Sequence, residues 1–192
     1  MKKKSLALVL ALAMIVVCVV GGTLAWLTDK TAPVTNTFTY GDINIKLAET
    51  TGTSYKMIPG YTIAKDPKVT VLADSEKCYL FVKVAESDNF DDFMTYKMAA
   101  DWTQLKDASN NDVPGVFYRV VDASATNQEF GVLKDDQVIV KDTVTKADMN
   151  ALKADGAIQP TLTFTAYACQ YNSSNGTSFT AADAWAKVNP TT

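Results

Sequence analysis

The residue types that most often carry catalysis are scarce in this sequence. Its 192 residues include no histidine, which is the usual general base near neutral pH and the commonest metal ligand. That absence excludes Ser-His-Asp triads, Cys-His dyads and HExxH zinc sites. Ser-Lys pairs and carboxylate pairs remain compatible with the composition, but no pattern points to either. We therefore expect no enzyme, no cofactor and no bound metal.

The cysteines are the other candidates for chemistry. Cys18 lies in an N-terminal apolar run, whereas Cys78 and Cys169 lie in segments that alternate like strands. Outside a cell the last two could form a disulfide, which would add about 4 kcal/mol across so long a loop. The alternative is two buried free thiols. Alternation places Cys78 on an apolar face but Cys169 with Thr165 and Tyr167 on a more polar one, so both alternatives stay open.

Three aspartates fall close together, at Asp88, Asp91 and Asp92. Carboxylate oxygens are the ligands that hard cations such as Ca²⁺ prefer. The D-x-D-x-D-G pattern of a calcium loop is missing, however. A solvated acidic loop accounts for the same residues, and we favour that interpretation.

The N-terminus has the layout of a secretory signal peptide. Lys2–Lys4 are followed by an unbroken apolar run over 6–20 and then by small residues. Thr23 and Ala25 are small enough for the −3 and −1 pockets of a signal peptidase. The sequence thus predicts a signal peptide over 1–25, with cleavage between Ala25 and Trp26.

Two other interpretations of this segment are open. Residues 6–27 are long enough to cross a bilayer as a retained anchor, with the lysines on the cytoplasmic side. Gly21 and Gly22 favour cleavage, because they break the helix just before the cut. Lipid attachment at Cys18 is disfavoured, since Val17 stands where a small residue is wanted.

Removal of the signal would leave 167 residues, the size of one domain over 26–192. The removed part carries three lysines and no acid, so the net charge falls from −3 to −6. An acidic exported protein has no reason to bind nucleic acid. No second long apolar stretch follows, so we expect contact with a membrane only through the uncleaved signal. The protein is then secreted or held at the cell surface by its partners.

The remaining sequence reads mainly as strands. Short alternating or β-branched segments bounded by turn residues predict strands over 36–47, 68–73, 77–86, 102–105, 115–121, 135–140 and 158–171. Thr145 and Thr180 are predicted to cap two short helices, the second with Trp185 in the core. The fold class predicted is mainly β: a jelly-roll-like antiparallel β-sandwich with a few short helices, preceded by an N-terminal apolar signal helix.

Four stretches of the chain, in order, resemble the TasA/camelysin family. They read GGTLAWLTD, TNTFTYGDINIKLAE, PGYTIAKDPKVTVLADSEKCYLFVKV and LTFTAYACQ. Members are exported Firmicutes proteins whose signal peptides are processed by a peptidase of the SipW type. The resemblance implies a jelly-roll β-sandwich and an extracellular location, at the cell surface or in the biofilm matrix, where the best-known members polymerise into fibres.

The resemblance also implies a mode of assembly. An extended N-terminal segment, released by signal removal, completes a sheet of the next subunit by β-augmentation. Here that candidate donor strand is Trp26 to Phe38, with Trp26 and Leu27 as anchors and with Val34 further along. Such head-to-tail pairing does not close and gives filaments. The alternative is an N-terminal strand packed on its own domain.

The expected function is therefore that of a secreted structural protein, a subunit of matrix or surface fibres. Its partners would be copies of itself or related matrix subunits, and a SipW-type signal peptidase during export. The alternative is a secreted β-sandwich that binds a surface polymer or a matrix partner. A peptidase, as the name camelysin suggests, finds no support in a chain without histidine or zinc-ligand spacing.

Overall fold

The strand β4 (Cys78–Glu86) runs through the centre of the fold. Its sequence, CYLFVKVAE, is rich in β-branched and aromatic residues, which favour a pleated surface. In the computed structural model, which describes residues 41–189, side chains on both faces of its first half are buried. A strand of this kind must be covered by a layer on each side, and its position confirms the strand predicted over 77–86.

The other elements are short. The remaining strands are β1 (Ile45–Ala48), β2 (Thr62–Ala64), β3 (Lys68–Val71), β5 (Met94–Thr95), β6 (Thr103–Lys106), β7 (Asp112–Val121), β8 (Gln128–Gly131), β9 (Gln137–Val140) and β10 (Leu162–Gln170). The α-helices are α1 (Phe90–Phe93), α2 (Lys146–Ala151) and α3 (Ala181–Val188). The predicted mainly β class with a few short helices is confirmed.

The strands form three antiparallel sheets, ordered β10-β4-β7-β6, β1-β3-β8 and β2-β9-β5. The two three-stranded sheets are continuous at one point. Lys65 N–H donates to the Asp136 carbonyl at 2.8 Å, and Val132 N–H donates to the Pro67 carbonyl at 2.9 Å. They therefore form one bent layer, made of β1, β2–β3, β8–β9 and β5.

This bent layer packs on one face of the four-stranded sheet. The shared core includes Val69 and Val71 from β3, Leu80 and Val82 from β4, and Trp102. The opposite face of the same sheet is aromatic and is covered by α3. Its core residues are Tyr79, Phe81, Leu105, Val116, Cys169, Ala184 and Trp185. Tyr79 and Phe81 are thus buried under the helix, and the prediction that Trp185 is a core residue is confirmed.

A third apolar cluster fills the end of the fold beneath β2 and β9. It contains Phe90, Phe93 and Met94 with Val138 and Val140. Phe90 and Phe93 point inward because they are three residues apart on the single turn of α1.

The structure also corrects several predicted boundaries. The last long strand begins at Leu162, four residues later than predicted. The first capped helix, which the sequence predicts over 146–154 with Asp148 completing a capping box, ends at Ala151. The capping box of Thr145 and Asp148 is present at the start of α2. The sequence did not predict β2, β5 or β8, because strands of two to four residues carry too little alternation. Residues 36–40 of the first predicted strand lie outside the described residues.

Candidate functional site

One side of the fold leaves an edge strand exposed in each layer. Within residues 41–189, β1 has a hydrogen-bonded neighbour only in β3, and β10 has one only in β4. The two edge strands lie next to each other. We call this surface, formed by β1 and β10, the open side. Unpaired strand edges invite pairing with another strand, so this surface is the candidate functional site.

The open edge of β1 presents backbone groups from alternate residues. Leu72 N–H donates to the Asn44 carbonyl at 2.8 Å, which places Asn44 in a hydrogen-bonded pair with the neighbouring strand. Antiparallel strands alternate strictly between bonded and outward residues. Ile45 and Leu47 therefore direct their N–H and C=O groups to the open side, while their side chains face the core.

The open edge of β10 follows the same rule. Ser87 N–H donates to the Thr161 carbonyl and Tyr171 N–H to the Lys77 carbonyl, each at 3.0 Å. Odd-numbered residues of β10 thus bond to β4, and even-numbered ones direct their backbone outward. The outward set is Leu162, Phe164, Ala166 and Ala168, whose side chains are only half-buried although they contact the core.

A cleft runs between the two edge strands at the Leu162 end of β10. Its outer part, the entrance, encloses about 300 Å³ and is bordered by Leu47, Ala48, Leu162 and Phe164. An adjoining part, the cavity, has a volume of about 440 Å³ and shares Lys65 and Leu162 with the entrance. The apolar wall of the cavity is formed by Met57, Ile63, Phe90, Met94, Val138 and Leu162. Its volume lies in the range of small-molecule sites, about 300–1,000 Å³.

Lys65 lies between the entrance and the cavity and borders both. Its Nζ donates to Glu49 at 2.7 Å and 3.0 Å, and both side chains are largely buried. The same Nζ lies 5.1 Å from the ring centre of Tyr55 and 5.7 Å from that of Phe164. Aromatic faces attract cations at this range. Lys65 therefore ties the loop before β2 to the start of β10.

Asp66 holds the same loop at a second point. Its carboxylate accepts from the Thr50 hydroxyl at 2.6 Å, from Thr50 N–H at 2.9 Å and from Thr51 N–H at 3.0 Å. These donors, with Thr50 contributing most, keep the pKa of the Asp66 carboxyl well below its usual range. The loop over 50–57 is thereby fastened as one wall of the cavity.

Several residues predicted from the sequence lie outside the described residues. They are the cleavage pair Ala25 and Trp26 and the candidate donor residues Leu27, Val34 and Phe38. The described chain begins at Gly41, next to Glu76, whose N–H donates to the Asp42 carbonyl at 2.9 Å. Gly41 therefore lies at the end of the open side remote from the cavity.

The candidate disulfide is not formed, because Cys78 and Cys169 are free thiols. They lie on adjacent strands, yet Cys169 pairs with Tyr79 and Cys78 pairs with Gln170. Directly paired residues share a face and successive residues alternate. Cys78 therefore faces the bent layer, and Cys169 faces α3. A bond between them would have to cross the sheet.

The buried surroundings of both thiols disfavour the charged thiolate and so make them unreactive. Burial raises the pKa of the Cys78 thiol from 9.0 to about 11 and also raises the pKa of the Cys169 thiol. The thiolate is the reactive form of cysteine. At neutral pH both cysteines act as small apolar side chains.

The acidic residues Asp88, Asp91 and Asp92 are exposed around α1. Within residues 41–189, no group of three or more Cys, Asp or Glu side chains is placed to hold a metal ion.

In the same part of the chain, no helix is long and apolar enough to span a membrane.

The sequence did not single out Glu49, Lys65 or Asp66. The sequence feature that could have indicated Lys65 and Asp66 is the motif Lys65-Asp66-Pro67, in which two charged residues and a proline stand between two apolar segments. Charged side chains in that context are buried only when paired, but the partner Glu49 is far away in the sequence.

Comparisons of the chain with protein-family models, with curated proteins and with solved structures gave no match.

Proposed function

We propose that this protein is a secreted structural subunit of extracellular fibres, in a biofilm matrix or at the cell surface. In this proposal, residues 26–38 of one copy, freed by signal cleavage after Ala25, join the open side of the next copy. The observation that carries the proposal is that, within residues 41–189, the adjacent edges of β1 and β10 are unpaired and lie beside a cleft with apolar residues in its wall. Main-chain hydrogen bonds would supply affinity, and the cleft would select side chains.

The proposal includes a jelly-roll architecture of the TasA/camelysin type, which the strand order supports. With β2–β3 and β8–β9 each counted as one bent strand, eight strands form two layers, ordered 1-2-7-4 and 8-3-6-5. The pairings 8-3-6 and 2-7-4 are those of a jelly roll, in which strand 1 would also pair with strand 8. Here those two are β1 and β10, the unbonded edges of the open side.

The unpaired state of this side, among the residues that the structure describes, also argues for a role in assembly. Exposed edges are normally blunted by charge, proline or a bulge. Along β10 the outward positions Phe164, Ala166 and Ala168 carry none of these. A strand supplied by another copy would remove the unpaired edge, and because donor and acceptor surfaces differ, the contact repeats without closing.

The test compares protein that starts at Trp26 with protein carrying a short extension before Trp26. We expect fibres by electron microscopy, and early elution in size exclusion, only when Trp26 is the first residue. A matched pair of donor variants, Thr28→Pro and Thr28→Ser, separates strand pairing from side-chain loss, because proline removes a backbone donor. Proline should abolish assembly and serine should keep it. Equal assembly of the extended and free forms would contradict the proposal.

A second candidate is a secreted binding module, and the cavity favours it. A volume of about 440 Å³ with an apolar wall and one buried ion pair at its mouth suits a small ligand. Retention of a permanently monomeric protein on glycans or cell-wall material would support this candidate over the fibre subunit.

A further inference from the structure

We propose that the cavity receives the indole of Trp26 from a second copy of the chain, with Leu27 in the entrance. This assignment rests on the strand donation proposed above and names the side chain that anchors it. The interaction surface is the wall of Met57, Ile63, Phe90, Val138 and Leu162, and the partner is the processed N-terminus of another copy.

The chemistry of the cavity fits an aromatic chain end. Two residues of its apolar wall, Phe90 and Val138, are only 0% and 3% exposed, so an aromatic side chain seated against them would contact the buried core. Ser54, Gln159 and Thr161 also line the cavity, and their oxygens suit the ammonium group that cleavage leaves on Trp26.

The sizes of the cavity and of the entrance fit the two residues at the start of the mature chain. At about 440 Å³ the cavity exceeds a single aliphatic side chain and reaches the lower part of the range for small ligands. Trp26 and Leu27 are the only two adjacent large apolar residues in 26–38. The next residues, Thr28, Asp29 and Lys30, are polar and would lie beyond the apolar wall.

If the segment forms an extended strand, as strand donation requires, its length favours a second copy over the same chain. A hairpin that turned at Gly41 would bring Val34 level with Ala48, at the entrance. Trp26 would then lie eight residues further, about 26 Å beyond the entrance when extended. A segment from another copy has no such restriction, because it is not tied to Gly41 of the acceptor.

The position of Trp26 also sets the direction of the donated strand. A chain that leaves the cavity along the open side runs opposite to β1, since β1 ends at Ala48 beside the entrance. Antiparallel pairs are the more stable kind. The donated strand would therefore bond to the outward backbone groups of Ile45 and Leu47.

The experiment uses chain carrying the blocking extension, so that it stays monomeric, and a synthetic peptide of residues 26–38 with 5-fluorotryptophan at Trp26. We expect the ¹⁹F resonance to shift on binding and to lose its sensitivity to H₂O/D₂O exchange, because the indole becomes buried. A peptide with Trp26→Ala should bind at least tenfold more weakly.

Two acceptor variants locate the site. Met57→Trp places an indole in the cavity and should weaken peptide binding at least tenfold. Ile58→Trp adds the same side chain to an exposed neighbour, 49% accessible, and should leave binding unchanged. Thermal unfolding of both variants checks that they are folded.

The outcomes separate this assignment from the proposed function. Free subunits that assemble as wild type with Trp26→Ala or Met57→Trp would overturn the assignment but keep strand donation. A free-N-terminus chain that stays monomeric with Trp26 buried would place the indole in its own cavity and overturn both. Absence of both peptide binding and assembly would also overturn both.

Discussion

At the residue scale, burial decides what the two cysteines do. Neighbouring strands bring Cys78 and Cys169 close together, but alternation points them to opposite faces of the sheet. Both are packed among apolar side chains, which disfavours the charged thiolate. The raised pKa values follow from this packing. The residues that hold the loop at the cavity, Lys65 and Asp66, are by contrast buried with partners.

Ionisation of the Cys78 thiol should lower the free energy of unfolding at high pH. Its pKa is about 11 in the folded protein and about 9 when exposed, so the unfolded state loses its proton first as the pH rises. The contribution of the thiol is complete below about pH 9 and is lost as the pH rises towards 11. The full loss is about 3 kcal/mol in the free energy of unfolding, from two pKa units at about 1.36 kcal/mol each.

Urea titrations between pH 8 and 11 measure this loss. Cys78→Ala should show a shallower pH dependence than wild type, whatever its stability at pH 8. Cys169→Ala, on the opposite face, is the matched comparison. Parallel curves for Cys78→Ala and wild type would show that Cys78 does not titrate as expected.

At the element scale, the four-stranded sheet depends on one close approach of backbones. Gly115 in β7 has φ of +67°, and a Cβ there would lie 2.3 Å from the carbonyl oxygen of Val84 in β4. Only glycine adopts this conformation without strain. The neighbouring Gln104 side chain donates to the carbonyls of Val113 and Val116, at 2.7 Å and 3.1 Å, and bridges the irregular part of β7 to β6.

Gly115→Ala should therefore destabilise the protein more than an alanine elsewhere in a strand. The added methyl group cannot fit against a backbone oxygen, so β7 must move away from β4. We expect a loss of at least about 2–3 kcal/mol in the free energy of unfolding, from clash and strained φ together. Chemical denaturation measures it. Gly52 also has a positive φ, but an added Cβ there would meet no atom within 4 Å. Gly52→Ala therefore measures the cost of the strained φ alone, and the difference between the two variants measures the clash.

At the scale of the whole molecule, one sheet joins three apolar clusters. Leu80 and Tyr79, adjacent in β4, belong to the clusters on opposite faces of that sheet. Leu162 and Phe164 of β10 contact both the first and the third cluster. Because the clusters share strands and side chains, the loss of packing in one cluster would expose apolar side chains of another to water. Unfolding should be a single cooperative transition.

Trp185→Ala tests this coupling from the most peripheral element. The indole of Trp185 packs on Phe81 and Tyr167, with ring centres 5.3 Å and 5.2 Å away. Its loss should cost about 3–5 kcal/mol. Far-ultraviolet and near-ultraviolet circular dichroism should still give one coincident transition. Separate transitions would show that α3 and the aromatic face unfold independently of the bent layer.

The sequence alone determined the mainly β class of the protein and the positions of its longer strands and of two helices. The β-branched and aromatic residues of CYLFVKVAE predicted β4, and the Thr145 and Thr180 caps predicted two helices. The lack of histidine excluded the catalytic and zinc sites that depend on that residue. These signals are local, and each is complete within about ten residues.

Only the tertiary structure decided which strand edges within residues 41–189 remain open and what lies beside them. The pairing of β1 with β3, and of β10 with β4, joins residues far apart in the chain. The contact of Glu49 with Lys65, and the opposite faces of Cys78 and Cys169, follow from that pairing. Local alternation tells which residues share a face of one strand, but the neighbour of that strand is chosen by the packing of the whole core.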